Sequence, residues 1–262
     1  MVAGPLLTLL TDFGHTDTYV GQMKGVIAGI APQATAIDLI HVVPPQQVLV
    51  AAVMLEAAVE AFAAQTIHVA VVDPGVGGAR RAVAVRTEKG VFVGPDNGLF
   101  TAVLERWPAV EAVALTNRQY QRDTVSATFH GRDIFAPAAA HLAAGVPMHD
   151  LGDSVDPATL VQLNLPQPTP TDHGMTLHVL WIDHFGNLIT DLRPEQQPDG
   201  KPTLTLHGQR IASIARTFAD VDDGEPVAYF GSSGRLEIAV RNGSAAQRWG
   251  VKAGDAVELV MR

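Results

Sequence analysis

The sequence predicts two domains of different class: an α/β unit with a central, mostly parallel sheet flanked by helices, then an all-β barrel. Three observations carry this. Up to about residue 164, short β-branched runs alternate with alanine-rich amphipathic stretches, which is how a sheet covered by helices reads. Next comes "NLPQPTPT", with three prolines in eight residues. Proline fixes φ and restrains its predecessor, so this stretch is extended. Beyond it the helical period vanishes and short apolar runs are cut by Gly, Pro, Asn and Asp, as in a small barrel or sandwich. The domains are therefore expected at 1–164 and 172–262, with a Pro-rich linker over 165–171.

Taken in order, "MVAGPLLTLLTDFG" reads as a first strand and not as a leader: no basic residue precedes its apolar block, and it meets Asp12 without a convincing cleavage site. "TAIDLIHVV", "TIHVAVVD", "RAVAVRT" and "VEAVALT" are further strands. "QQVLVAAVMLEAAVEAFAAQ" and "APAAAHLAAG" are the covering helices. In the second domain "MTLHVLWID", "LITDL", "TLTLHG", "PVAYFG", "LEIAV" and "DAVELVMR" are the strands. The longest apolar run, "VLVAAVML", stops at Glu56, well short of the roughly 20 residues that cross a bilayer, so no membrane partner is expected.

Composition narrows the function. Cysteine is absent, which removes disulfide and thiolate chemistry and suits a reducing, cytoplasmic setting. The net charge of −9, from 27 acids against 18 bases without a basic run, lacks the electrostatic footprint of a nucleic-acid binder. A small or cationic ligand fits better.

Polar and glycine residues gather at strand ends, where open α/β sheets bind ligands. The most suggestive stretch is "VVDPGVGGARR", residues 71–81. It could be a phosphate cradle, a structural turn, or one wall of an active site in which Asp73 works with an arginine. It lacks both the Lys-Ser/Thr ending of a P-loop and the spacing of a dinucleotide fingerprint. "DFG" at 12–14 and "GRD" at 131–133 resemble kinase triplets, but their order and surroundings are wrong for a kinase. The ten histidines show no metal-ligand spacing, so no metal is expected.

Read together and in order, "TDFGHTDTYVGQMKG", "VVDPGVGGARR", "VGPDNGL", "FHGRDIFAPAAA", "DHFGNLIT" and "SSGRLEIAVRNGSAA" resemble the S-adenosyl-L-methionine (SAM) hydroxide adenosyltransferase family, the relatives of fluorinases and chlorinases. The resemblance implies an α/β domain joined to a β-barrel. It also implies homotrimers with active sites at subunit interfaces, and cofactor-free attack of water on ribose C5′ of SAM, giving adenosine and methionine. The family's catalytic Asp, Arg and His fall on Asp73, Arg80 and His130. In the halogenases an aromatic residue stands at the Asp73 position, so the polar trio implies water as the nucleophile.

Among binding residues, the resemblance places Asp12 on the ribose hydroxyls, Asp183 on the methionine amine, Phe185 as an apolar or stacking face and Asn187 on adenine. Ser232, Glu237 and the backbone near Val240 complete the set. Asp73 and His130 are expected to hold the attacking water, with His130 a candidate proton acceptor. An arginine beside a carboxylate favours its charged form and makes it a poorer base, which suits Arg80 to fixing Asp73. Taken singly, Asp12 and Asp183 read as turn formers, and Arg81 leaves the arginine register ambiguous by one.

Asp17, Asp96, Asn97, Arg132 and Asp133 read as structural. Gly231 and Asp191 depart from an Asn common in relatives and are expected to alter the methionine side. A non-catalytic SAM or adenosine sensor, and a halogenase, are the competing readings.

Overall fold

The computed structural model describes residues 4–200 and 202–261. The opening residues of the first predicted strand, Met1–Ala3, lie outside that range. The chain divides into two compact units between Leu165 and Pro166.

Unit 1 holds β1 (Leu6–Thr11), α1 (Tyr19–Ile30), β2 (Thr35–Ile40), α2 (Val48–Val59), β3 (Ile67–Val71), β4 (Ala82–Thr87), β5 (Gly90–Pro95), α3 (Thr101–Arg106), β6 (Glu111–Ala114) and α4 (Ala136–Ala143), the last preceded by a π-helical turn over Gly131–Phe135. The sheet runs β2-β1-β3-β5-β4-β6. The pairings among β2, β1, β3 and β5 are parallel, and β4 is antiparallel to both β5 and β6. β3 is buried at every position, as a central strand covered on both faces must be. Leu7, Leu9, Val69 and Val71 share a core with Met23 and Ile27 of α1 and the alanines of α4.

On the other face Thr8, His68 and Phe92 stand side by side across β1, β3 and β5. His68 is 0% exposed. Its Nδ1 lies 2.8 Å from Thr8 Oγ1, and its ring stacks on Phe92 at 4.9 Å. Burial pulls its pKa down from 6.5 to about 4, so it is neutral in the fold. The unfolded chain takes up that proton more readily, so the contribution is complete above pH 6.5 and lost as pH falls from there towards 4. The loss amounts to about 3 kcal/mol. Unfolding midpoints measured from pH 7.5 to 4.5 should fall less steeply in His68→Leu than in the parent. A residual slope should remain, because burial also lowers His130 and His141.

Unit 2 is all-β apart from short helical turns and α5 (Ala245–Trp249). Its strands are β7 (Thr169–Thr171), β8 (Gly174–Ile182), β9 (Leu188–Thr190), β10 (Pro202–Leu206), β11 (Gln209–Ile211), β12 (Pro226–Phe230), β13 (Leu236–Val240) and β14 (Ala256–Met261). They form one antiparallel sheet, β11-β10-β14-β8-β9-β13-β12, with β7 on β8. A bridge between Ile214 and Ala228 brings the two ends together, giving a nearly closed barrel around Leu177, Leu188, Leu204, Leu236 and Ile238. The proline-rich stretch differs from a plain linker: its last three residues pair as β7, an edge position that Pro170 tolerates because an edge strand can forgo a donor.

Candidate active site

The chain leaves β1 for β2 on one side and returns to β3 on the other, so the strand order reverses between β1 and β3. Open α/β sheets bind ligands at such a switch point, outside the carboxyl ends of the strands. Thr11 and Val71 are register partners at those ends, and Asp12 and Asp73 follow them by one and two residues. A pocket of about 290 Å³ opens there, lined by Asp12, Phe13, Gln46, Asp73, Thr128, Phe129 and His130 among others.

The glycine-rich turn folds Arg80 back onto Asp73. The Val76 amide donates to the Asp73 carbonyl and the Gly78 amide to that of Gly75. Gly77 has φ +76°, and a Cβ there would lie 2.3 Å from the Ala127 carbonyl oxygen; only glycine lets the turn pack against the strand of chain that leads to His130. Arg80 grips the carboxylate as a fork: Nε donates to Oδ1 at 3.0 Å and Oδ2 at 3.1 Å, and Nη2 donates to Oδ2. Asp73 and Arg80 side chains are 4% and 11% exposed, and Arg80 also lies over the Phe135 ring.

Arg80 Nη2 further lies 2.8 Å from His130 Nδ1. A guanidinium can only donate, so Nδ1 is the acceptor and the neutral ring carries its proton on Nε2. Burial first, then the charge of Arg80, hold His130 below the ordinary histidine range against the opposing pull of Asp73 and Asp133. The ring therefore presents an N–H donor, not the free lone pair expected of a proton acceptor.

The neighbouring arginine has a different partner. Arg81 Nε donates to Asp96 at 2.7 Å and Nη2 to the Thr159 carbonyl at 2.5 Å, while Asp96 Oδ1 takes the Val161 amide, so this pair pins the chain before the unit boundary. Asn97 bonds the Val72 carbonyl and the Leu99 amide. Asp133 is fully buried. Burial pushes its carboxyl up, but Arg132, the Ser126 amide and Arg122 more than offset that and hold it below the usual range.

Asp12 is steadied from both sides. Its Oδ2 accepts the amide of Gln46, a non-glycine residue at φ +65°. His41 is buried under the loop: its Nδ1 lies 2.9 Å from Thr11 Oγ1, which in turn accepts the Phe13 amide, and its carbonyl accepts that of Gly14. Gln46 and His41 carry no sequence signal for this task, whereas Phe129 stands inside the "TFHGRD" motif.

In unit 2, Asp183, Phe185, Asn187, Ser232, Glu237 and Val240 all line one pocket of about 910 Å³. Asp183 organises its own turn: Oδ1 accepts the amides of Phe185 and Asn187 at 2.9 and 2.8 Å, and Oδ2 accepts the Asn187 side chain at 2.9 Å. Phe185 is 72% exposed, an unusual position for a large apolar ring. Glu237 is buried and accepts hydrogen bonds from Tyr229 and Ser233.

Residues 7–152 match the family model for the SAM hydroxide adenosyltransferase N-terminal domain, and residues 177–258 match that for its C-terminal domain. The chain belongs to the SAM hydroxide adenosyltransferase family. It is 41% identical over 268 residues to the (R)-S-adenosyl-L-methionine hydrolase of Salinispora tropica, covering 99% of each chain. A fluorinase of an Actinoplanes species is 29% identical over 289 residues, with 97% of each chain covered. The solved structure of a conserved protein from Thermotoga maritima superposes with a TM-score of 0.91 at 36% identity, over 98% of this chain and 100% of that one.

Asp191 and Gly231, both in unit 2, are placed differently. Asp191 is buried and pairs with His178, taking its amide at 3.0 Å and its ring Nδ1 at 2.8 Å. It lies outside the pocket lining and secures β8 to the chain after β9. Gly231 does line the pocket.

Proposed function

We propose that this protein hydrolyses SAM, with water attacking ribose C5′ as the sulfonium departs as neutral methionine, giving adenosine, L-methionine and a proton. The observation that carries the reading is the Asp73–Arg80–His130 cluster at the sheet's switch point. It is polar and able to hold water, where a halide would need an apolar niche. The hydrolase name and higher identity of the Salinispora relative support water over halide. We extend the (R) configuration at sulfur in that relative's name to the substrate here.

The chemistry asks little of the protein. A sulfonium leaves without protonation, so no general acid is needed, and no cofactor enters the proposal. Holding water in line, about 3–3.5 Å from C5′, recovers several kcal/mol of the barrier. The Asp73 carboxylate and the His130 N–H can together fix one water by accepting and donating a hydrogen bond. Asp12 suits the ribose diol, since an ionised carboxylate accepts from two hydroxyls.

The unit 2 set, Asp183, Phe185, Asn187, Ser232, Glu237 and Val240, would take the methionine and adenine ends. We place the protein in the cytoplasm as a homotrimer with active sites at subunit interfaces. Among the described residues no helix is long and apolar enough to cross a membrane.

The test is purified protein with SAM in halide-free, chelator-treated buffer, products resolved by chromatography and mass spectrometry. Adenosine and methionine in equal amounts support the reading. Tight binding without turnover identifies a sensor, and product that appears only with added halide identifies a halogenase.

A further inference from the structure

Asp38 and His41 stand three residues apart at the end of β2, where strand alternation would turn their side chains to opposite faces. They meet because the ladder between β1 and β2 slips. Leu9 is opposite Asp38 but Leu10 is opposite Ile40, which leaves Leu39 as an extra residue on β2. A bulge of this kind re-aims side chains, and it is rare between parallel strands. Beyond it His41 follows Ile40 as Thr11 follows Leu10, and those two side chains come into contact.

The result is a chain of polar contacts that starts on α1 and ends beside the pocket at the switch point. Lys24 Nζ donates to Asp38 Oδ2 at 2.6 Å, and Asp38 Oδ1 lies 2.9 Å from His41 Nε2. His41 Nδ1 lies 2.9 Å from Thr11 Oγ1, and that oxygen accepts the Phe13 amide at 3.2 Å. Burial pushes the Asp38 carboxyl up, but His41 and Lys24 more than offset that and hold it below its ordinary range. An ionised carboxylate beside Nε2 favours the ring proton there. Nδ1 is then the acceptor, and the Thr11 hydroxyl donates to it while accepting from Phe13.

His41 is 1% exposed and Thr11 is 0% exposed, and neither is among the residues lining the pocket. The residue they enclose does line it. Asp12 sits between Thr11 and Phe13, which the Thr11 hydroxyl ties together, and the Gly14 amide closes the turn on the His41 carbonyl at 2.6 Å. Gln46, further along the same connection from β2 to α2, gives its amide to Asp12 Oδ2 at 2.9 Å. One connection thus holds Asp12 twice, at its backbone from His41 and at its carboxylate from Gln46.

Resting on the role proposed above for Asp12, we propose that His41 is a positioning residue: with Asp38, and through Thr11, it fixes the backbone at Asp12 so that the carboxylate meets the vicinal diol of the ribose. Affinity for the diol then depends on a buried imidazole that never touches the ligand.

The experiment is calorimetric titration of the parent and its variants with adenosine and 2′,3′-dideoxyadenosine, which differ only in the diol, alongside KM for SAM. The parent should bind adenosine about tenfold or more tightly than the dideoxy compound. Asp12→Asn and His41→Leu should each lose most of that preference, and the double variant should lose no more than either alone, because both act through one contact. His41→Asn, whose carboxamide can still accept near the place of Nδ1, should keep more of it than His41→Leu, and Thr11→Ser more than Thr11→Val. KM for SAM should rise in the same order. His68→Leu, which removes an equally buried histidine outside this chain of contacts, should leave the preference unchanged.

A full preference in folded His41→Leu and Thr11→Val, or equal loss of both nucleosides, would overturn the assignment, as would a parent that does not distinguish them. If His41→Leu does not fold, His41→Asn and the two Thr11 variants decide it. A parent that turns over no SAM sinks the hydrolysis proposed above, and the nucleoside ratios still decide this assignment.

Discussion

Asp73→Asn is expected to lower kcat for adenosine formation by about 10²–10⁴-fold while altering KM for SAM far less, because the carboxylate serves the water and not the bound substrate. The same change strips a nearly buried guanidinium of its counter-charge, since Arg80 is only 11% exposed. Breaking such a pair from one side destabilises proteins by roughly 3–5 kcal/mol, whereas replacing both partners with apolar groups of similar volume is often neutral. The double variant Asp73→Leu with Arg80→Met should therefore recover most of the lost unfolding midpoint and none of the turnover. Recovery of both, or loss of neither in Asp73→Asn, would show that the pair is architecture alone. Kinetics and thermal unfolding on the same three samples decide it.

That separation matters because the pair also has a structural role. Asp73 begins the turn and Arg80 ends it, with Gly77 allowing the close approach to Ala127 between them. The "DPGVGGARR" stretch is thus both a turn and the wall of a site. Taken singly, the two arginines leave the register ambiguous by one, and the spacing of the family motif selects Arg80. The fold separates them: Arg80 reaches Asp73 before β4 begins, while Arg81 turns to Asp96 and Thr159.

The strands read most plainly from the sequence were those whose β-branched runs end at a polar turn, as β3 does. β5 escaped notice because its final Gly94 and Pro95 open the turn-rich "GPDNG", which reads as loop. The alternation also does not pick out α1, which carries Gly21, Gly25 and Gly29. Glycine is a poor helix former, yet Met23 and Ile27 bury one face of α1 in the main core, and that packing outweighs local propensity.

The candidate catalytic residues were legible only as ordered motifs, since a lone acid before a glycine turn is usually just a turn. Asp183 shows why: it forms its own turn and lines the pocket at once. Gln46, His41 and Tyr229 were illegible because their place at the pockets comes from long-range contacts and not from any local pattern.

The assignment of His130 as a donor has a consequence of definite sign. Its neutral form is the one that accepts from Arg80, and burial with the Arg80 charge keeps it neutral below the ordinary histidine range. If only the neutral ring supports turnover, the His130 contribution to the acid limb of kcat/KM falls below pH 6.5, and activity is level through neutral pH as far as this residue is concerned. Titrating the His130 ring by NMR should then move in opposite directions in two variants. Arg80→Met removes a charge that lowers the His130 pKa, so it should rise. Asp73→Asn removes one that raises it, so it should fall further. His130→Gln, which keeps an N–H donor, should retain more turnover than His130→Ala, whose loss is expected at about 10²-fold or more. A titration midpoint above 7 in the parent, or equal activity in the Gln and Ala variants, would return His130 to the role of proton acceptor or remove it from the chemistry. In the donor arrangement the proton released from water passes to Asp73 or directly to solvent, because Arg80 already occupies the free lone pair of the neutral ring.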